Sequence, residues 1–395
     1  MKFLDFLNKS VTPYHTVECL KQILAPFGSG IKLFERGGAL IAVRSPLKVD
    51  EDSRFRIALA HTDYPTLKIT PNPDGSAAGV RTLHPEIYGS PIFASWLDRD
   101  LGYAGLLAYE LDGKVQTKLV RCDKLFRIPQ LAVHLNRNVN QEGLKVNPQT
   151  DLNALWTAVG GKERFVEALE AELPDGARLL DFDIQLFDAQ PAQYGGFEDE
   201  WVYSGRLDNL SSCHAIVESF ATAEPSERDF QVAAFFNNEE VGSTTREGAA
   251  GNFLKNILDS LTPNSEFRTP NSFALSIDMA HACHPNFENK HEGNHAPVLG
   301  GGVVLKTNSQ KRYASDVYSS AQFKLLCEQS NILYQVFVSR NDMPCGSTVG
   351  PAVSASLGIP TVDIGEPMLS MHSIREMTAV KDHESMIKLV GTFYR

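Results

Sequence analysis

Apolar and polar positions along the chain follow two rhythms. Thr12-Pro13 offers a helix N-cap followed by proline at the first helical position, and Val17, Leu20, Ile23 and Leu24 then share one face. Short apolar runs at 39–43 and 55–60 read as strands, the second running into His61-Thr62-Asp63-Tyr64-Pro65. Between about 72 and 182 strand-like pieces dominate, at 115–119 and 131–134, with one helical stretch near 162–172. From Asp183 onward strand and helix alternate. Residues 231–236, 273–277 and 333–337 read as strands, and 213–221, 247–260 and 319–330 as helices. This alternation predicts an α/β core with a mostly parallel sheet, formed by residues 1–71 and 183–395, and an inserted β-rich domain at 72–182. In such sheets functional residues gather beyond the carboxyl ends of the strands.

Composition narrows the class. The 395 residues include 37 Lys+Arg against 48 Asp+Glu, a net charge of −11, which argues against a nucleic-acid partner. Hydrophobic residues at 43% and charged residues at 22% exclude wholesale disorder. The six cysteines form no CxxC pair, a usage that suits a reducing compartment. Asp5 interrupts the apolar N-terminal stretch, no small-residue cleavage site follows, and no run is long enough to span a membrane. The expectation is a soluble, cytoplasmic protein.

Several familiar motifs fail. No GxGxxG and no GxSxG occur, and Gly160-Gly161-Lys162-Glu163 lacks the first glycine and the closing Ser/Thr of a phosphate loop. His291-Glu292-Gly293-Asn294-His295 satisfies HExxH, the signature of a single-zinc metalloprotease. That chemistry requires a helix, because histidines four apart must share one face. Gly293 costs about 1 kcal/mol in a helix interior, and Pro285 and Pro297 flank the stretch, so a polar loop is favoured.

Five other segments each end an apolar run on a metal-binding side chain: His61, Asp208, Glu240, Asp278 and His372. Two histidines, two aspartates and a glutamate form a nitrogen and oxygen donor set suited to two divalent ions with one shared carboxylate. Asp63, two residues beyond His61, is placed to hold the other imidazole nitrogen. Glu239 beside Glu240 leaves a second carboxylate free to take a proton from the attacking water and pass it to the leaving amine. Singly, Asp208 would read as an N-cap and His372 as a surface histidine. All five at strand ends outweigh that reading.

At these residues the chain resembles the M18 family of metallo-aminopeptidases, the aspartyl aminopeptidases and their bacterial relatives. The resemblance runs through TPYHT, HTDYP, SWLDRDLGYAG, VHLNRNVN, SGRLDNLSSCHA, NNEEVGS, SIDMAHACHPNFENKHEGNH, KTNSQKRYAS, NDMPCGSTVGP and MHSIRE. It departs from the family pattern at Tyr64 and at Asn237-Asn238. The resemblance implies an α/β zinc-peptidase core with an inserted dimerisation domain. It implies one zinc on His61, Asp208 and Asp278 and a second on Asp208, Glu240 and His372, with Mn2+ or Co2+ as alternative ions. Glu239 would be the general base, and the Asp208-Asn209 peptide bond would be cis. His134 would act in a neighbouring active site of a tetrahedral dodecamer, and Lys306 would meet an acidic side chain of the peptide substrate. The rival readings are the single-zinc protease on His291 and His295 and a non-catalytic peptide-binding assembly.

Overall fold

The computed structural model describes the chain except residues 51, 159, 161–163 and 263–271, together with the side chain of residue 29. The Gly160–Glu163 resemblance to a phosphate loop therefore lies largely outside the described residues. Two compact units emerge: residues 1–63, 192–371 and 376–395, and residues 64–191 with 372–375. The expected junctions at 71/72 and 182/183 move outward. Strands Thr66–Ala77 and Arg178–Asp188 pair within the six-stranded sheet of the second unit, so the sheet carries both with it.

An eight-stranded sheet organises the first unit. Its order is Lys32–Arg36, Ala39–Arg44, Asp229–Phe236, Arg54–His61, Phe273–Ile277, Thr361–Gly365, Val303–Thr307 and Tyr334–Val338. The central strands Asp229–Phe236, Arg54–His61, Phe273–Ile277 and Thr361–Gly365 run parallel. Every residue of Asp229–Phe236 is buried, because helices cover both faces. Ala58, Ala60, Ala233 and Phe235 face a layer containing helices Phe3–Lys9, Pro13–Leu24, Leu207–Thr222, Val317–Ser330 and Val380–Phe393. Alternate residues Ile57, Leu59, Val232 and Ala234 face helices Phe253–Leu261 and Val349–Leu357.

Local signals explain most helix boundaries. The Thr12 hydroxyl accepts from the His15 N–H, and Pro13 opens the helix as expected. Asp316 and Ser319 form a capping box that starts Val317–Ser330, and Asn331 in the left-handed region ends it. The helix expected from residue 247 begins only at Phe253. The Glu247 carboxylate instead holds the Gly38 N–H and the Asn237 amide, which ties the preceding residues into a turn.

The second unit is a six-stranded antiparallel sheet in the order Lys114–Phe126, Leu101–Leu111, Arg178–Asp188, Thr66–Ala77, Val80–Tyr88 and Ala154–Ala158. Asp112-Gly113, both at positive φ, closes one hairpin in the two-residue turn that suits strand twist. Residues 131–134, expected as a strand, are irregular at 131–132 and enter a turn at 133, with Leu131 and Val133 exposed. Their apolar alternation lacks a pairing partner. The helical stretch expected near 162–172 is Phe165–Glu170, with Phe165 and Leu169 buried.

Candidate metal centre

Strand order builds the centre. Within the first unit the carboxyl ends of Asp229–Phe236, Arg54–His61 and Phe273–Ile277 lie side by side, and Phe236 is in register with His61. Glu239 and Glu240 follow the first strand, His61 ends the second, and Asp278 follows the third. Asp208 arrives from another direction, at the start of helix Leu207–Thr222. Arg206 there sits at φ 66°, the Asp208-Asn209 bond is cis, and both residues depart from helical angles. The Asp208 N–H donates to Glu376 Oε2 at 3.1 Å, and Asn209 Nδ2 donates to the Ile277 carbonyl at 2.9 Å. The helix's N-cap position is Arg206, which makes no side-chain capping bond, and Asp208 falls inside the first turn.

The cluster is buried and crowded. His61 Nε2 lies 3.6 Å from Asp208 Oδ1 and 3.6 Å from Asp278 Oδ1, with Glu239 Oε2 at 4.0 Å. His61, Asp208 and Asp278 bring one donor atom each within 4.8 Å of one another, and so do His61, Glu239 and Glu240. Donors about 2.0–2.2 Å from a tetrahedral zinc stand about 3.3–3.6 Å apart, so the first trio fits such an ion with little movement.

Asp63 does something the sequence did not suggest. His61 Nδ1–H donates to the Asp63 backbone carbonyl at 3.0 Å, closer than the Asp63 carboxylate at 3.4 Å. The carboxylate instead receives the N–H groups of Glu239 and Glu240, each at 3.1 Å. It therefore pins the turn bearing both glutamates as well as the imidazole. Asn238 in that turn has φ 64°, a conformation asparagine tolerates better than most residues, and its Oδ1 accepts from Thr245.

Carboxylates outnumber cations in the cluster and shift one another's protonation. Burial opposes a charged His61, yet its contacts with Asp278 and Asp63 and the charge of Glu239 raise its pKa well above the usual value. Burial alone would raise Asp278, but Lys306 and His61 hold it well below the ordinary range. Lys306 Nζ, on a side chain 3% exposed, lies 3.6 Å from Asp278 Oδ2 and donates to the Met279 carbonyl at 3.1 Å. Glu239 is pushed up to about 8 by burial, against the pull of His61, with the charges of Asp278, Asp63 and Asp208 adding to the rise.

The two HExxH histidines fall elsewhere. His291 and His295 lie in turns outside any helix, where His291 Nε2 accepts from the His284 N–H and His295 pairs with Glu292. The helical face that HExxH chemistry needs is therefore missing. His372, at φ 67°, packs with the second unit, its Nδ1 bonded to the Ser90 carbonyl at 3.1 Å. His134 is exposed in a turn of the second unit. Glu376, within the quoted MHSIRE motif, was missed as a positioning group because nothing local marks its reach to Asp208.

Comparison with known proteins follows the same line. Residues 6–394 match the family described as aminopeptidase I zinc metalloprotease, M18. A probable M18 family aminopeptidase 2 of Pseudomonas aeruginosa (strain UCBPP-PA14) is 39% identical, covering 99% of this chain and 96% of its own. One of the same description from Streptomyces avermitilis is 41% identical, covering 96% and 93%. Among solved structures, the chain matches one from a complex of Ape4 and Nbr1 at TM-score 0.93 and 33% identity, over 99% of this chain and 84% of that one. It matches the mApe1 dodecamer of S. cerevisiae at 0.85 and 26%, over 99% and 95%.

Proposed function

Because the chain belongs to the M18 family of zinc metallo-aminopeptidases, we propose that it removes acidic residues from peptide N-termini using two divalent ions. One ion is assigned to His61, Asp208 and Asp278. The other is assigned to Asp208, Glu240 and His372, the last on the strength of its motif, with Zn2+ as the resident metal. The observation that carries the reading is the convergence of His61, Asp208 and Asp278 with Glu239 beside them. When bound, such ions polarise the scissile carbonyl and favour ionisation of water. Glu239 accepts the proton of the attacking water and returns it to the leaving amine. Asp63 holds Glu239 in place through its backbone, and Lys306 keeps Asp278 ionised.

The acidic preference rests on Lys306 and on a cavity of about 220 Å3 in the first unit. Tyr313 lines the cavity, and the Lys306 ammonium lies 5.2 Å from its ring centre. Lys290 and Arg340 line it as well, beside Glu292 and with Arg340 paired to Asp342, so Lys290 is the cation there best placed to favour a carboxylate. Assembly into dimers and a tetrahedral dodecamer belongs to the same proposal, supported by the likeness to the mApe1 dodecamer.

Metal analysis of variants tests the ligand assignment. Asp208→Ala should lose both ions, because it removes a shared carboxylate, whereas His291→Ala should keep both. Loss of metal in His291→Ala with retention in Asp208→Ala overturns the assignment.

A further inference from the structure

Within the first unit, among the helices that cover one face of its sheet, four groups line up in a buried row. The Met1 carbonyl lies 3.1 Å from His214 Nε2, and His214 Nδ1 lies 3.0 Å from His383 Nε2. His383 Nδ1 lies 3.0 Å from Glu366 Oε1. His214, His383 and Glu366 are all buried, at 4%, 4% and 0% exposure. The Phe3 ring stacks on His383 with centroids 3.7 Å apart, and Phe3 and Phe6 both tilt against His214.

A carbonyl oxygen only accepts, so His214 Nε2 must carry hydrogen. A neutral His214 then accepts at Nδ1, which requires hydrogen on His383 Nε2. The His383–Glu366 contact needs a hydrogen of its own. Three contacts need three hydrogens, and two neutral imidazoles beside a carboxylate supply two. We propose that His214, His383 and Glu366 form a buried proton-binding site, and that its extra proton, shared by His383 and Glu366, fastens the N-terminal segment to the core.

The consequence of losing that proton is directional. Glu366, ionised and buried, keeps the His383 Nδ1 hydrogen, the strongest of the three contacts. His383 Nε2 becomes an acceptor, and His214 turns its single hydrogen toward it. The lone pair of His214 Nε2 then faces the Met1 carbonyl, and the outermost contact breaks. Burial lowers the His214 pKa to about 3, which keeps the extra proton on the other two groups.

The surrounding charges leave this arrangement intact. Asp382, next to His383, accepts from the Gly300 and Gly302 N–H groups; its charge and that of Glu366 repel each other, and Lys381 offsets part of that repulsion. Lys2, Asp5 and Lys9 of the N-terminal helix are exposed, as are Lys324 and Glu328 of helix Val317–Ser330. From helix Pro13–Leu24, Glu18 and Lys21 pair with each other, and Cys19 is buried with its thiol pushed up. Cys327 is likewise raised, to about 12, by burial. Of the strands near the C-terminal helix, Lys306 is engaged with Asp278 and Glu376 with the Asp208 N–H.

Raising the pH withdraws the third hydrogen that the row needs, so docking should weaken as pH rises. Hydrogen exchange of residues 1–9 in the full chain, corrected for intrinsic rates, should accelerate about 5- to 100-fold between pH 6 and pH 9.5. In Glu366→Gln the side-chain amide donates to His383 Nδ1 and satisfies all three contacts without a titrating proton, so protection should stay high and flat. A flat profile in the unaltered protein, or the unaltered slope in Glu366→Gln, overturns the proposal. If Glu366→Gln does not fold, His214→Phe serves in its place. It keeps the ring packing and loses the contact, so protection should be low at every pH, and a persisting slope overturns the proposal.

Discussion

As the proposed general base, Glu239 would work through its protonation state. Burial, with the neighbouring carboxylates, pushes its pKa up to about 8 despite His61, and in the proposed mechanism it takes a proton from the attacking water and returns it to the leaving amine. Glu239→Gln preserves shape and cannot accept that proton. Its kcat should fall at least about 10²-fold while metal content and fold stay unchanged, as steady-state kinetics beside metal analysis will show. Near-normal turnover removes Glu239 from the base role. Lys306 serves two readings that one variant separates. Bound to Asp278 and the Met279 carbonyl, it can meet an acidic side chain only in competition with Asp278. If it reads the substrate, Lys306→Leu should reduce kcat/KM for N-terminal Asp or Glu by about 10- to 150-fold, the worth of a charge-assisted contact, and spare Leu substrates. An equal fall on both makes it the counter-ion of Asp278 alone.

Elements were legible where their pattern was local and blurred where a distant contact set the boundary. The cap at Thr12 and the strand at 273–277 fell where periodicity put them, whereas Glu247 displaced a helix start by holding Gly38, far away in sequence. The C-terminal helix Val380–Phe393 carries a titrating group that no pattern reveals. Asp382 is fully buried, and burial pushes its pKa up to about 6 although the Gly300 and Gly302 N–H groups favour its charge. Its folded pKa lies above the unfolded value of about 3.9, so the folded state binds more protons between about pH 4 and pH 6. Stability therefore falls as pH rises through that window, by about 3 kcal/mol in all. Asp382→Asn removes the titration, and denaturant melts at pH 4 and pH 6 should show this slope diminished. An unchanged slope assigns it to other groups.

At the scale of the whole molecule, the question is whether one chain suffices. His134 is exposed in a turn of the second unit, and the proposed assembly gives it a place in a neighbour's active site, donating to the oxyanion that forms on attack. Dissociated monomers should then lose most activity with their fold intact, and His134→Ala should impair turnover without changing particle size. Dilution with sedimentation and activity measured on the same samples checks both, and fully active monomers contradict the arrangement.

The sequence by itself determined the kinds of element and the kinds of donor. Alternation of two and of nearly four residues is a local property, and a histidine or carboxylate at a strand end advertises its chemistry wherever the strand goes. Even the failure of HExxH was readable, because Gly293 and the flanking prolines act on their own backbone. Tertiary structure decided the rest. The order of the three parallel strands makes neighbours of His61, Glu239 and Asp278, residues far apart in the chain. Folding also turned Asp63 onto two backbone N–H groups, aimed Glu376 at Asp208 and set Lys306 under Asp278. These contacts depend on which surfaces meet when the sheet forms, and no short stretch of chain carries that information.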